Sequence, residues 1–161
     1  MQIFLHQRTK QWYQHRKKYI NASEIASITG LDPFRSMEQL VHDKLFGTTF
    51  TANQYTLHGQ KMEPIARQFF ITKTKLSFLD TIFVDDQVKL FSASLDGYNQ
   101  KNQIVLEIKC PFVNENQTTS KTWETFLSQP HSNNIPRYYC PSSMSTILCT
   151  SKIRLFFSLF R

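Results

Sequence analysis

The fold is decided by the stretch Gln103-Ile104-Val105-Leu106-Glu107-Ile108-Lys109-Cys110-Pro111, together with Ser94-Leu95-Asp96-Gly97 just before it. Apolar residues recur at every second position along 103–109, which predicts a β-strand with one apolar face. Because side chains alternate between the two faces of a strand, Glu107 and Lys109 share the other face. Pro111 has no N–H to donate, so we expect the strand to end there.

Asp96 lies at the end of the preceding predicted strand, at 91–96, and residues 97–102 supply the turn. A hairpin of the two strands then brings Asp96 next to Glu107. Charged residues beside an apolar face are costly unless water, a partner or a metal compensates them. Two carboxylates and a lysine suit a Mg²⁺ ion, which prefers oxygen ligands. The alternative is a surface hairpin with a Glu107–Lys109 ion pair, since such short matches also occur by chance.

Composition indicates one folded domain with an anionic partner. The chain has 161 residues, and an aromatic content of 14% argues against disorder. The net charge of +7 favours an anionic partner, although the acid-free basic run in residues 1–20 could be a solvated helix face. The three cysteines form no CxxC pair, which favours reduced thiols and excludes a four-cysteine iron–sulfur cluster. Because no apolar stretch is long enough for a signal peptide or a membrane span, we expect a cytoplasmic protein without membrane contact.

Local signals place helices before the strands. Capping residues predict three helices, with starts at Thr9, Asn21 and Ser36, the last in a capping box with Gln39. Glycines at 30 and 47 are placed to end the second and third helices. A fourth helix is expected at 62–70 with Pro64 in its first turn. Strands are predicted near 76–84, 88–95 and 103–110, followed by a polar loop at 112–134 with a short helix around 123–127.

In this order, the motifs resemble those of the phage-type recombination exonucleases, the lambda-exonuclease and YqaJ group of the PD-(D/E)XK nuclease superfamily. The resemblance covers about residues 8–139 and is carried by segments 12–16, 21–25, 58–66, 94–97 and 107–111. Leu95 stands where many members have proline, which is not a ligand. The resemblance implies an α/β fold with a restriction-endonuclease-like PD-(D/E)XK core, in which helices flank a mixed central sheet.

The resemblance also implies a metal site and its catalytic residues. Asp96, Glu107 and the carbonyl of Ile108 would ligate Mg²⁺, for which Mn²⁺ can substitute. Lys109 would orient the attacking water and offset charge in the transition state, and burial can lower its pKa. Glu63 matches a further family acid that ligates or supports the metal. The alternative for Glu63 is a carboxylate at a helix start, favoured there by the helix dipole.

Three further positions match family residues that contact DNA phosphate, namely Arg16, Ser23 and Ser94. An arginine can hold a phosphate through two parallel hydrogen bonds, and a helix start attracts anions. For Ser23, plain helix capping explains the residue equally well. Trp12 is expected to lie in the core rather than to stack on a base.

The expected function is Mg²⁺-dependent hydrolysis of DNA, and family analogy makes it a 5′-to-3′ exonuclease on duplex ends in phage-type recombination. The implied partners are double-stranded DNA ends, a single-strand annealing protein and further copies of the chain in a homo-oligomer. Two alternatives stay open. One is a catalytically decayed remnant that binds DNA, and the other is a site-specific endonuclease of the same superfamily.

We expect the nuclease domain to span residues 1–139 and an atypical tail to span 140–161. In the family, a glutamine-rich helix and another strand follow this point, and the tail has neither pattern. We hypothesise that the tail is frame-shifted. Its apolar residues should then pack poorly, the sheet should lack an element, and solubility and nuclease activity should be low.

Overall fold

The computed structural model describes residues 1–48, 51–114, 121–129, 134–139 and 155–159. Its helices and strands, in chain order, are β1 (Gln2–Ile3), α1 (Lys10–Lys18), β2 (Ile20–Asn21), a 3₁₀ turn (Ala22–Glu24), α2 (Ile25–Ile28), α3 (Met37–Phe46), α4 (Gln54–Thr74), β3 (Leu79–Val84), β4 (Phe91–Asn99), β5 (Ile104–Lys109), α5 (Lys121–Ser128), a second 3₁₀ turn (Arg137–Tyr139) and β6 (Leu155–Leu159).

A six-stranded mixed sheet organises the fold. Its main path has the order β1-β3-β4-β5-β6, and the short strand β2 pairs with β4 off this path. The pairs β1–β3, β3–β4 and β4–β5 are antiparallel, whereas β2–β4 and β5–β6 are parallel. The predicted α/β fold with a mixed central sheet flanked by helices is confirmed.

The hairpin of β4 and β5 forms as predicted, but its turn lies later in the chain. The expectation that Gly97 begins the turn is wrong, because β4 continues to Asn99. At Gly97 a Cβ atom would lie 2.9 Å from the Cβ of Phe78, so glycine is needed here for close packing rather than for a turn. The turn itself uses Gln103 at a φ of 56°.

Strand β5 is buried on both faces of the sheet. Ile104, Leu106 and Ile108 belong to one buried cluster, which includes Ala66 of α4, and this confirms the predicted apolar face. Val105 is also fully buried and belongs to a second cluster. The strand that carries Glu107 and Lys109 is therefore central to the core and is not a surface hairpin.

Helix starts agree with the sequence signals more closely than helix lengths do. The side chains of Thr9 and Ser36 accept backbone N–H groups at the starts of α1 and α3. Gln39 does not complete a capping box, because its side chain donates to Asp43 instead. The second predicted helix does begin after Asn21, but as a 3₁₀ turn that leads into α2.

The predicted bounds of the fourth helix are wrong. Helix α4 has 21 residues and begins after Asn53, whose side chain accepts the N–H of Thr56. Pro64 therefore lies inside the helix, where it costs one backbone hydrogen bond. Glu63 consequently lies in the middle of α4, so the reading of it as a helix-start carboxylate is also wrong.

Part of the tail belongs to the sheet. Strand β6 pairs in parallel with β5, with Glu107 beside Phe157 and Lys109 beside Leu159. The expectation that the sheet lacks an element is therefore wrong for 155–159. Residues 140–154 and 160–161, on which the rest of the frame-shift hypothesis depends, lie outside the described residues. In the described ranges, no helix combines the length and hydrophobicity needed to cross a membrane.

Candidate active site

A cavity of about 170 Å³ brings most of the predicted site residues together. It collects six of the eight, and the two that do not line it are Glu63 and Ile108. The lining residues are Gln7, Trp12, Arg16, Ala22, Ser23, Ser94, Asp96, Glu107 and Lys109. One cavity thus joins the predicted phosphate-binding side chains to the predicted catalytic ones.

Asp96 lies where the ladder between β4 and β5 ends. The last paired residues on this side are Gly97 and Leu106. Beyond them, the backbone N–H of Ile108 donates to Oδ2 of Asp96 at 2.7 Å, so the carboxylate replaces a backbone acceptor. Burial, and then the charge of Glu107, raise the pKa of Asp96 to about 7. A bound cation at this carboxylate would favour its charged form.

Glu107 and Lys109 share one face of β5, and the Lys109 ammonium contacts the Glu107 carboxylate. Burial lowers the pKa of Lys109, but the charges of Glu107 and Asp96 outweigh it and raise the pKa above its ordinary value. Burial thus acts on the pKa of Lys109 in the expected direction, but the two carboxylates reverse the net effect. Nζ of Lys109 also lies 5.0 Å from the centre of the Tyr139 ring. Lys109 is a fixed positive charge in the cavity.

Glu63 is held by two arginines outside the cavity lining. Its Oε1 accepts from Nη2 of Arg67 at 2.9 Å, and its other oxygen accepts from Arg8. Its charge still contributes to the raised pKa of Asp96. Among the residues that the structure describes, no three or more His, Cys, Asp or Glu side chains form a group that could hold a metal ion. Asp96, Glu107 and Glu63 therefore do not form a compact three-carboxylate cluster.

The oxygen donors at the cavity nevertheless fit a hard divalent cation. Asp96 and Glu107 supply carboxylate oxygens, and the carbonyl of Ile108 lies between Glu107 and Lys109 in the chain. The repulsion between the two carboxylates, which contributes to the high pKa of Asp96, is the electrostatic situation that a divalent cation relieves. Because carboxylate and carbonyl oxygens suit Mg²⁺ and Mn²⁺, these three residues are the candidates to hold the ion.

On the phosphate side of the cavity, the predicted phosphate-binding side chains are connected through Trp12. Nη2 of Arg16 donates to Oγ of Ser23 at 3.0 Å. The Arg16 guanidinium carbon lies 4.7 Å from the centre of the Trp12 ring, and Nε1 of Trp12 donates to Oγ of Ser94 at 3.0 Å. Trp12 is half-buried and lines the cavity, so its expected place in the core is wrong. The cap of the 3₁₀ turn is Asn21, so the capping explanation for Ser23 is wrong as well.

Sequence reasoning missed three residues at or near this site. Gln7 lines the cavity, and its Nε2 donates to the carbonyl of Leu95 at 3.1 Å. Arg8 has a φ of 66° and pairs with Glu63, while Tyr139 lies against Lys109. The acid-free basic composition of the first twenty residues was a signal for Arg8. Nothing in the spacing of Gln7 or Tyr139 marked either of them.

Solved structures with a similar fold include three exonucleases. LHK-Exo in complex with dAMP matches with a TM-score of 0.73 and 23% identity over 95% of this chain and 74% of that one. An alkaline exonuclease (LHK-Exo) from Laribacter hongkongensis matches with a TM-score of 0.66 and 21% identity, over 92% of this chain and 74% of that one. A phage related exonuclease from Haemophilus somnus 129PT matches with a TM-score of 0.59 and 16% identity, over 88% of this chain and 68% of that one. Likeness at these identities shows the fold.

A comparison with curated proteins gives no match. The model of one protein family, described as the YqaJ-like viral recombinase domain, matches residues 11–152. That match includes segments 12–16, 21–25, 58–66, 94–97 and 107–111, which carried the resemblance, and it extends past residue 139 into the tail. Because it covers most of the chain, this protein belongs to the family of YqaJ-like viral recombinase domains.

Proposed function

We propose that this domain is a DNA exonuclease that hydrolyses phosphodiester bonds from the 5′ ends of duplex DNA and uses a divalent cation, Mg²⁺ or Mn²⁺. The observation that carries the proposal is the single cavity in which Arg16, Ser23 and Ser94 lie together with Asp96, Glu107 and Lys109. Membership in a viral recombinase family supports a DNA substrate, and so does the net charge of +7.

The carboxylates and the lysine have separate tasks in this proposal. Asp96, Glu107 and the Ile108 carbonyl would hold the cation, which when bound would supply an activated water and offset charge on the phosphate. Lys109, whose ammonium contacts the Glu107 carboxylate, orients the attacking water and offsets the negative charge that builds on the phosphate. Tyr139 limits where the Lys109 ammonium can move.

In this proposal, the phosphate side of the cavity makes cleavage depend on a strand end. Arg16 and the two serines hold the terminal 5′-phosphate, while the next phosphodiester reaches the carboxylates. Because both groups line one small cavity, cleavage occurs at a fixed distance from a strand end. LHK-Exo, which has a similar fold, was solved in complex with dAMP, and a nucleoside monophosphate is the product that the proposed digestion would release.

The proposed biological role is recombination in which the digested duplex leaves one single strand. An annealing protein would then bind that strand, and several copies of the domain would act together as a homo-oligomer. Family membership supports the recombination role. The annealing partner and the oligomer rest on analogy with the family.

The test is a digestion assay on a linear duplex that carries a different label at each end of one strand. Mg²⁺ should permit early release of the 5′-labelled mononucleotide, EDTA should stop it, and Mn²⁺ should substitute. Asp96→Ala and Glu107→Ala should abolish cleavage with DNA binding largely kept. Asp86→Ala removes an exposed carboxylate in the β3–β4 turn and is the matched control, which should cleave normally.

The outcomes separate the alternatives. Early release of the 3′ label would reverse the proposed polarity. Cleavage of closed circular DNA would identify an endonuclease, because a circle has no end. Binding to duplex DNA without digestion in either metal would identify a DNA-binding remnant that has lost catalysis.

A further inference from the structure

We propose that Glu24 and Lys44 form a positioning pair behind the cavity. Glu24 orients Arg16, and Lys44 offsets the charge of Glu24, so that Arg16 presents a net positive charge to a terminal phosphate. The inference rests on the proposed function, because it concerns the phosphate side of the same site. Neither Glu24 nor Lys44 lines the cavity. Both would act through Arg16, which does.

Glu24 is a buried carboxylate that contacts three residues, namely Asn21, Lys44 and Arg16. Its side chain is 6% exposed, although it carries a charge. Oε2 accepts the backbone N–H of Asn21 at 2.9 Å and lies 3.0 Å from Nζ of Lys44. Oε1 accepts Nδ2 of Asn21 at 3.0 Å and lies 3.7 Å from Nη2 of Arg16. These contacts fix both oxygens, so Glu24 holds Arg16 from behind in one orientation.

Arg16 is held between Glu24 and Trp12. The Trp12 ring lies under the guanidinium group at 4.7 Å, and Ser23 accepts one of its hydrogen bonds. A planar guanidinium held in this way is oriented before a ligand arrives, which lowers the entropic cost of binding. On its own, the Glu24 carboxylate would offset the charge of Arg16 as seen from the cavity, and Arg35 is a further positive charge near Arg16.

Lys44 supplies a positive charge in direct contact with the Glu24 carboxylate. Arg16, Glu24 and Lys44 together carry two positive charges and one negative charge, so one positive charge is left to face an anion. Nζ of Lys44 also donates to the carbonyls of Arg16 at 3.1 Å and of Tyr19 at 2.8 Å. It thereby ties α3 to the C-terminal end of α1, where a cation is also favoured by the helix dipole.

The experiment compares affinities for two duplexes that differ only in a 5′-phosphate or a 5′-hydroxyl at the end. Binding of the full chain is measured by fluorescence anisotropy in EDTA, so that no cleavage is needed. Lys44→Gln removes the charge but keeps an N–H donor for the two carbonyls, whereas Lys44→Arg keeps the charge. Lys61→Met removes an exposed lysine of α4 and is the matched control.

We expect the unaltered protein to prefer the phosphorylated end. Lys44→Gln should lower the ratio of the two affinities by about fivefold, because it removes one positive charge behind Arg16. Affinity for the hydroxyl end should change far less, and Lys44→Arg and Lys61→Met should keep the preference. A purely structural role would instead weaken binding to both ends alike and lower the urea midpoint of unfolding.

Two results would overturn this inference and leave the proposed function standing. One is an unchanged preference in Lys44→Gln, and the other is a lost preference in a Lys44→Arg protein with a normal urea midpoint. If the unaltered protein does not distinguish the two ends, both the phosphate pocket and this inference are wrong. Digestion of the same duplexes in Mg²⁺ then reports separately on whether the nuclease function stands.

Discussion

Replacing Gly97 with alanine tests the packing that positions the two carboxylates. A Cβ at residue 97 would lie 2.9 Å from the Cβ of Phe78 and 3.2 Å from the Cβ of Leu106. Both neighbours are Cβ atoms fixed close to their own backbones, so rotation of a side chain cannot relieve the contact. The strands must move apart, and overpacking of this kind costs about 1–3 kcal/mol of unfolding free energy.

The same movement should also slow DNA cleavage. Gly97 follows Asp96 directly, and Leu106 precedes Glu107, so separation of residues 97 and 106 separates the two carboxylates. A displacement near 1 Å in such a site costs up to about 100-fold in rate. Urea unfolding measures the first effect, and cleavage of a 5′-phosphorylated duplex measures the second.

Gly59→Ala is the matched control for Gly97→Ala. Gly59 lies inside α4, and a Cβ there would meet no atom within 4 Å. Alanine favours helix over glycine by about 0.5–1 kcal/mol, so this variant should be at least as stable as the unaltered protein and fully active. A Gly97→Ala protein with an unchanged urea midpoint and cleavage rate would refute the close-packing argument.

Substitutions at three other residues of the cavity test the role of each side chain. Lys109→Ala should raise the barrier to cleavage by several kcal/mol, where each ~1.4 kcal/mol is tenfold in rate, and near-normal cleavage in Mg²⁺ would contradict its role. Arg16→Ala should erase the preference for 5′-phosphorylated ends more than it lowers overall affinity; equal cleavage of both ends by the unaltered protein would remove that role. Trp12→Phe keeps an aromatic ring under Arg16 but loses the N–H that donates to Ser94. Its preference for 5′-phosphorylated ends should therefore fall, but less than in Trp12→Ala.

Much of the sheet could be predicted because it depends on local pattern. The alternation along 104–109 predicts β5, and the short connection after β4 predicts an antiparallel partner that brings Asp96 to Glu107. The end of β4 could not be predicted, because Gly97 is explained by Phe78, which is distant in sequence. The sequence pattern underestimates the length of α4, because proline is typical of a first helical turn whereas Pro64 lies inside this helix, which begins after the cap at Asn53.

The charge state of the site was harder to predict than its members. Burial alone lowers a lysine pKa, and only the proximity of two carboxylates reverses the direction for Lys109. The arginines that hold Glu63 include Arg8, which is far away in the chain, and no spacing rule connects them. Local sequence can therefore propose charged residues, but their mutual distances decide how each one acts.

The hydrogen bond from the Ile108 amide to Asp96 makes that amide a spectroscopic sensor. An N–H whose acceptor is a carboxylate changes its chemical shift when the charge on that carboxylate changes. In a ¹⁵N-labelled sample, the Ile108 signal would thus record each ion or proton that reaches Asp96, without a probe inside the cavity. Leu106, two residues away and paired with Gly97 in the ladder, supplies the reference signal from the same strand.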